Sequence, residues 1–261
     1  LINLAMAALL LPETRNPSSL PSSRKGLPLA LLRQASQYAN VKALLFISLV
    51  YTTAFALMEQ TIALFIGHTW VGKLAENPAT DHATETSVVL AEHSLSTLSE
   101  SAKLTAYFLI VIGFVAVIVQ GGLIRRLSAK FGEAKLIRSG LFIVIIAMAL
   151  IPIVGQIGSF PLLLVLGGFM AIGSGILNPS KSSLLSQSIP DSEQGVILGL
   201  NQSFSSLGRV IGPVCAGMLY ELMTGLPFYL SAALIAMVAF LARGLVDQRV
   251  VAANTQHPEV D

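Results

Sequence analysis

Apolar residues are concentrated in one short stretch at the start of the chain and in six long stretches that follow it. The long stretches cover residues 41–66, 104–124, 136–154, 162–185, 196–219 and 228–241. A helix rises about 1.5 Å per residue, so stretches of this length span or nearly span the ~30 Å hydrocarbon core of a bilayer. The pattern therefore predicts an all-α protein with six membrane-spanning helices.

Composition agrees with a membrane protein and argues against other classes. Hydrophobic residues make up 54% of the 261 residues and charged residues 11%, against about 25% charged in an average soluble domain. The net charge of +2 gives no reason to expect a nucleic-acid partner. The chain has no H-E-x-x-H or G-x-S-x-G motif, and His82 and His93 lack the spacing of metal ligands. We therefore expect no enzymatic activity, no cofactor and no metal site.

The segments outside the long stretches complete the predicted organisation. Residues 1–11 lack the basic start and the cleavage site of a signal peptide, so we interpret them as the end of a preceding transmembrane helix. Residues 12–40 are rich in proline, serine and basic residues, which is typical of a linker. We expect residues 41–245 to form one six-helix unit with a loop at 67–103, and residues 246–261 to form a tail.

Lysine and arginine lie almost entirely on one side of the predicted bundle. That side holds the basic residues of the linker, of the segment 125–138 and of the end of the chain, together with Lys181, while the other side holds only Lys73 and Lys103. Positively charged loops stay in the cytoplasm. The pattern predicts an integral protein of the plasma membrane, in bacteria the inner membrane, with both ends of the chain cytoplasmic and the loop 67–103 outside.

The fifth long stretch contains one arginine near its middle, Arg209. A cation at this depth costs about 2.5–3.5 kcal/mol on insertion scales, so it is by default a functional candidate. Around it, Gly208, Gly212 and Ala216 recur every fourth residue and form a face that a neighbouring helix backbone can approach closely. Pro213 removes the N–H that would otherwise bond to the carbonyl of Arg209, which weakens the helix at the same turn.

Glu59 is the candidate partner of Arg209 because it is the acidic residue well inside a long stretch. Counted along their helices, Glu59 lies about three residues further out than Arg209, so a proton-coupling charge pair is feasible; the alternative is a glutamate at the outer interface. Polar and aromatic side chains on the same helical faces are candidates for a substrate cavity, although they also suit simple interhelical hydrogen bonds: Ser48, Thr52, Phe55, Asn178, Gln202 and Ser205.

Two motifs resemble those of major facilitator superfamily transporters. The loop R-R-L-S-A-K-F-G-E-A-K at 125–135 resembles the superfamily's cytoplasmic loop motif, and G-R-V-I-G-P-V-C-A-G at 208–217 resembles its antiporter motif. The loop also suits a plain topology signal. The resemblance implies gating or packing roles for the matching residues and one neighbouring residue: Arg126, Lys130, Gly132, Gly208, Gly212, Pro213 and Gly217.

Departures from the loop motif favour one half of the superfamily fold. Arg125 replaces its first glycine and Ala129 its aspartate, a degraded form similar to the copy in the C-terminal half. The resemblance thus implies a six-helix half of a twelve-helix fold, preceded by the end of one more helix and similar to drug:proton antiporters of the tetracycline-efflux type. An N-terminal half is the lesser alternative.

The implied partners are the lipid bilayer, the N-terminal half of the same transporter, a small-molecule substrate and protons. The expected function is proton-coupled efflux by alternating access. A proton-coupled uptake symporter and a nontransporting membrane scaffold or receptor are the alternatives that the sequence leaves open.

The predicted orientation can be tested by cysteine labelling after Cys215 has been replaced by alanine. We expect a reagent that cannot cross the membrane to label a cysteine at Thr84 in intact cells and not one at Ser128, because the basic loop stays inside. The reverse labelling pattern would show that the orientation is wrong.

Overall fold

The computed structural model describes residues 37–38, 40–72 and 87–245, with only the backbone described for residues 87–95. This part of the chain contains helices and no strands, which confirms the all-α prediction. The elements, in chain order, are α1 (Val41–Ile66) with a π-helical extension (Gly67–Val71), α2 (Ser87–Ile118), a π-helical segment (Val119–Leu123), α3 (Ile124–Phe131), α4 (Glu133–Ile157), α5 (Phe160–Gln187), α6 (Gln194–Leu222), α7 (Leu226–Leu241) and a 3₁₀ turn (Ala242–Gly244).

Glycine and proline mark several helix ends. Gly132, with a φ of 78°, separates α3 from α4, and Gly158, with a φ of 76°, ends α4. These left-handed conformations suit glycine, which has no Cβ. Pro161 and Pro227 lie in the first turns of α5 and α7, where proline's missing N–H costs no helical hydrogen bond.

Five of the described helices are long and apolar enough to cross a membrane: Val41–Val71, Ser96–Phe131, Glu133–Ile157, Phe160–Gln187 and Leu226–Gly244. With 29 residues, α6 is long enough but is not among the five. Asn201, Gln202 and Arg209 lower its hydropathy. The structure confirms a sixth long helix, because α6 is continuous and packs along α1, while its crossing of the membrane stays a prediction.

Helices extend into both ends of the segment 67–103, which the sequence predicts to be a loop. The first helix continues to Val71, and α2 begins at Ser87, well before the apolar stretch that begins at residue 104. Polar residues that favour helices extend a helix beyond its apolar part, so hydropathy alone underestimates the length of α2. Residues 1–11, most of 12–40, residues 73–86 and the tail 246–261 lie outside the described residues, and their assignments stay predictions.

The helices pack as two tight pairs, and α7 joins one pair to the other. One pair is α1 with α6 and the other is α4 with α5; α7 packs on both α1 and α4, and α2 packs on α5. Side chains such as Met58, Met148, Ile151 and Phe228 form a continuous buried core between the helices. By contrast, most of α2 faces outward, with exposed apolar side chains that suit lipid or another protein surface.

Hydrogen bonds at the two ends of the bundle show which segments lie together. At one end the Tyr38 hydroxyl donates to Glu193 at 2.8 Å, which raises the pKa of that hydroxyl. At the other end Trp70 Nε1 donates to the carbonyl of Gly158 at 2.9 Å. The basic segment 125–138 and the end of α7 share the Tyr38 end. This grouping matches the predicted distribution of charge, while the side of the membrane that it faces stays a prediction.

The small-residue face of α6 lies directly against α1. A Cβ added at Gly208 would lie 2.8 Å from the carbonyl oxygen of Leu49, and one added at Gly212 would lie 2.5 Å from the Cβ of Ala56. Ala216, on the same face, is also buried. The prediction of a close backbone approach is confirmed for this face, whereas Gly217 has no atom within 4 Å of an added Cβ and faces away from it.

A matched pair of variants tests this packing of α6 on α1. Gly212→Leu should separate α6 from α1 and reduce the folded yield in membranes about fivefold or more, because overpacking costs about 1–3 kcal/mol. Gly217→Leu adds the same side chain into open space and should leave the yield close to that of the native protein. Fluorescence-detected size-exclusion chromatography measures both. Equal yields for the two variants would contradict the assignment of the packing face.

Candidate functional site

Arg209 lies near the middle of α6 and is exposed on the surface of the bundle. Gln202 and Ser206 are exposed about two turns and one turn before it, respectively, on the same side of the helix, and Ser205 beside them is half-buried. Among the described residues, the ion pair within 4.0 Å is the surface pair Lys103–Glu100. Arg209 therefore lies at the end of a polar stripe on a largely apolar helix and has no acidic partner among the described residues.

Glu59 is exposed on α1 and does not pair with Arg209 in this structure. Gly208 lies opposite Thr53 and Gly212 opposite Ala56, so α1 and α6 are parallel in a defined register. In that register Glu59 lies level with Cys215, about six residues or ~9 Å beyond Arg209 along the axis. The sequence had predicted an offset of three residues, which was wrong because helix counting ignores the register of packing. The charge pair stays a prediction for another conformation.

The predicted cavity residues lie on three neighbouring helices, α1, α5 and α6. Asn178 and Gln202 are exposed, and Phe55 is half-buried with its ring centroid 5.9 Å from that of Tyr51. Thr52 is half-buried, but its hydroxyl donates to the carbonyl of Ser48 at 2.6 Å, a local bond that a helical threonine commonly makes. Their role in binding a substrate stays a prediction.

Lys181 is buried inside the bundle, whereas the distribution of basic residues along the sequence predicts a cytoplasmic charge. The residue is 7% exposed, its Nζ lies 3.5 Å from Ser48 Oγ, and the same Nζ lies 4.8 Å from the centroid of the Tyr51 ring. Because α5 continues to Gln187, Lys181 is still inside the helix, and its side chain turns toward α1. A lysine within an apolar stretch was the signal that the count of loop charges overlooked.

Glu133 is a second buried charged residue that the sequence analysis did not select. It is 3% exposed, and its carboxylate accepts hydrogen bonds from Ser128 at 2.8 Å, Ser183 at 2.7 Å and Gln187 at 3.3 Å. These partners come from α3 and α5, so one carboxylate joins three helices. The turn at Gly132 directs Glu133 inward. A glutamate directly after the loop glycine was the available sequence signal.

The loop residues that the motif resemblance selected lie around this cluster. Arg126 and Lys130 are exposed on α3, and Lys130 Nζ lies 5.3 Å from the centroid of the Phe131 ring. A cavity of about 190 Å³ next to the cluster is lined by Ile124, Arg125, Ser128, Glu133, Pro179, Ser180 and Ser183. The loop is thus packed against α5 as well as α4, an arrangement that would couple movement of the loop to both helices.

A cavity of about 170 Å³ lies at the opposite end of the bundle. It is lined by Phe65, His68, Thr69, Pro152, Gly155, Gln156, Met223, Thr224 and Gly225. Neither this cavity nor the one beside Glu133 contains a predicted substrate residue. The predicted substrate residues instead lie on the side of the bundle formed by α1, α5 and α6.

Relatives with known names match about half of this chain. Multidrug resistance protein 1 of Bacillus subtilis (strain 168) is 32% identical over 123 residues, which is 47% of this chain and 31% of that protein. A multi-drug resistance efflux pump PmrA homolog of Lactococcus lactis is 30% identical over 138 residues, 52% of this chain and 33% of that protein. The chloroplastic ascorbate transporter of Arabidopsis thaliana is 34% identical over 107 residues, 41% of this chain and 19% of that protein.

The chain spans about a third or less of the length of these three relatives. A family match covers more of this chain than the alignments with these relatives do. The sequence signature described as Major Facilitator Superfamily matches residues 83–260, which is more than half of the 261 residues. It begins before α2 and covers α2 to α7. The chain therefore belongs to the Major Facilitator Superfamily.

Proposed function

We propose that this chain forms one half of a secondary active transporter that exports a small molecule by alternating access. The observation that carries the proposal is Arg209, exposed at mid-depth on α6 in line with Gln202 and Ser206. An arginine there is costly against lipid. The stripe is therefore expected to face another protein surface or a water-filled path, which is the environment of a transport site between two halves.

The proposal of efflux draws on similarity to two relatives. These proteins are named as a multidrug resistance protein and as a multi-drug resistance efflux pump homolog. The segment 208–217, which resembles an antiporter motif, forms the part of α6 that packs on α1. An uptake symporter is the second candidate, because a third relative is named as an ascorbate transporter.

Glu59 and Arg209 are proposed to couple proton movement to this transport. Both are exposed on helices that pack tightly together, and their offset of ~9 Å along the helix axis keeps them from pairing with each other in this conformation. Protonation of Glu59 would remove its attraction for the arginine. A pair that forms in one state of the transport cycle and breaks in another would make the two states respond to protons.

Residues of the loop cluster are proposed to act as a gate at the cytoplasmic end. Glu133 joins α3, α4 and α5 through hydroxyl and amide donors. Arg126 and Lys130 on the exposed side of α3 are free of ion pairs with the described acidic residues. Such a cluster would hold these helices as one body while leaving the basic side chains available to the other half.

The first test concerns the need for a second half. Purified chain in liposomes should show no saturable ethidium movement, whereas the full-length protein should show it, because alternating access needs two halves around one site. Fluorescence quenching of ethidium follows the movement. Robust saturable transport by the isolated chain would contradict the proposal, and no transport by the full-length protein would favour a scaffold or receptor.

The second test is a double-mutant cycle with Glu59→Gln and Arg209→Gln in the full-length protein. Each single change should reduce proton-driven transport at least about tenfold with normal folded yield, and the combined loss should be less than additive. Transport in inverted vesicles at several proton gradients provides the measurement.

Glu221→Gln serves as the matched control for Glu59→Gln. Glu221 is an exposed acid near the end of α6, so its loss should leave transport unchanged. Reduced yield that the double variant restores would indicate a structural pair. Strictly additive losses, or full activity in both single variants, would contradict the coupling role.

A further inference from the structure

The ammonium of Lys181 lies in the interior of the bundle with no negative partner among the described residues. Its contacts are Ser48 Oγ at 3.5 Å and the face of the Tyr51 ring at 4.8 Å. Among the described residues, no carboxylate lies within 4.0 Å of it. An ammonium has three N–H donors, and one long hydrogen bond with one cation–π contact satisfies them only in part. The site therefore has unused capacity for an acceptor.

A lysine in a membrane helix commonly extends its stem to bring the ammonium to the aqueous interface. Lys181 does not do this. It lies six residues before the end of α5 at Gln187, and its ammonium is buried against α1 rather than directed to the end of the helix. The orientation of the side chain thus keeps the charge inside, where an uncompensated cation is costly.

The groups around this ammonium are hydroxyls, which can donate as well as accept hydrogen bonds. The hydroxyl of Tyr51 is buried and makes no hydrogen bond of standard geometry to the described residues. Ser174 lies beside that hydroxyl but donates its own hydrogen bond to the carbonyl of Ala171 at 3.3 Å. A cation and two hydroxyls, in a region where no described carboxylate lies within 4.0 Å of the cation, form a set that can recognise an anion.

Lys181 and Tyr51 lie where the two helix pairs meet. Since α1 packs mainly on α6 and α5 mainly on α4, the direct contact between α1 and α5 is sparse. Asn178 lies one turn from Lys181 on the same side of α5 and is exposed. A ligand on the polar surface of α1, α5 and α6 would therefore reach the ammonium if α1 and α5 separated slightly.

We infer that Lys181, Tyr51 and Ser48 form a subsite that binds the carboxylate of a small aromatic acid. The ammonium and the two hydroxyls bind the carboxylate oxygens, and the half-buried ring of Phe55, next to Tyr51, packs against the aromatic part of the ligand. This inference rests on the proposed function, because it assigns a substrate class to the same surface.

The experiment compares benzoate with benzamide, which has a similar shape and no charge, on the full-length protein in lipid nanodiscs. Isothermal titration should show benzoate binding at least about tenfold tighter than benzamide. Lys181→Met should weaken benzoate binding at least about tenfold, while Lys181→Arg keeps it within about threefold. Lys42→Met removes an exposed cation of α1 and should leave the affinity unchanged.

Several outcomes would overturn the inference. These are the absence of benzoate binding, equal binding of benzamide, and native affinity in Lys181→Met. The folded yield of Lys181→Met should match or exceed that of the native protein, because the change removes an unpaired buried charge. If that variant does not fold, Tyr51→Phe and Ser48→Ala test the same contacts, and native affinity in both would also overturn the inference.

The binding experiment separates this inference from the proposed function. Ethidium transport by the full-length protein without benzoate binding would overturn the anion subsite alone. Benzoate binding that depends on Lys181, together with no transport of ethidium or benzoate, would support the subsite and contradict the transport proposal.

Discussion

The rest of the structure depends on the close approach of α6 to α1. Gly208 and Gly212 bring the α6 backbone so near to α1 that an added Cβ would lie 2.5–2.8 Å from its neighbours. Lipid is as apolar as leucine, so helices in a membrane associate through such van der Waals packing rather than through the hydrophobic effect. The contact holds the most polar of the long helices in place and defines its register with α1.

A second glycine contact builds the other helix pair in the same way. A Cβ at Gly140 would lie 2.9 Å from the carbonyl oxygen of Gly173, so α4 and α5 also approach closely. Phe65 of α1 and Phe228 of α7, whose ring centroids are 4.9 Å apart, are part of the core that joins the pairs. Packing is tight within each pair and sparser between α1 and α5, and the buried Lys181 lies at this boundary between the pairs.

The buried charges follow from this arrangement. Within the described residues, Lys181 and Glu133 are the buried side chains that carry a formal charge, and each contacts hydroxyl groups instead of an opposite charge. Hydroxyls and amides satisfy a charge only in part. Buried charges of this kind keep capacity for further hydrogen bonds to a ligand or to a second protein surface.

The sequence by itself determined the helices and the chemistry of their faces. Apolar length, glycine spacing on α6 and the mid-depth position of Arg209 are local properties, and the structure confirms the helices and the packing face. Only the tertiary structure decided which side chains meet. Ser183 bonds to Glu133 across 50 residues, and Lys181 reaches Ser48 across 133. Such contacts depend on the register of packed helices, and one turn of displacement moves a side chain by ~5.4 Å, so the offset of Glu59 from Arg209 and the inward turn of Lys181 were beyond sequence patterns.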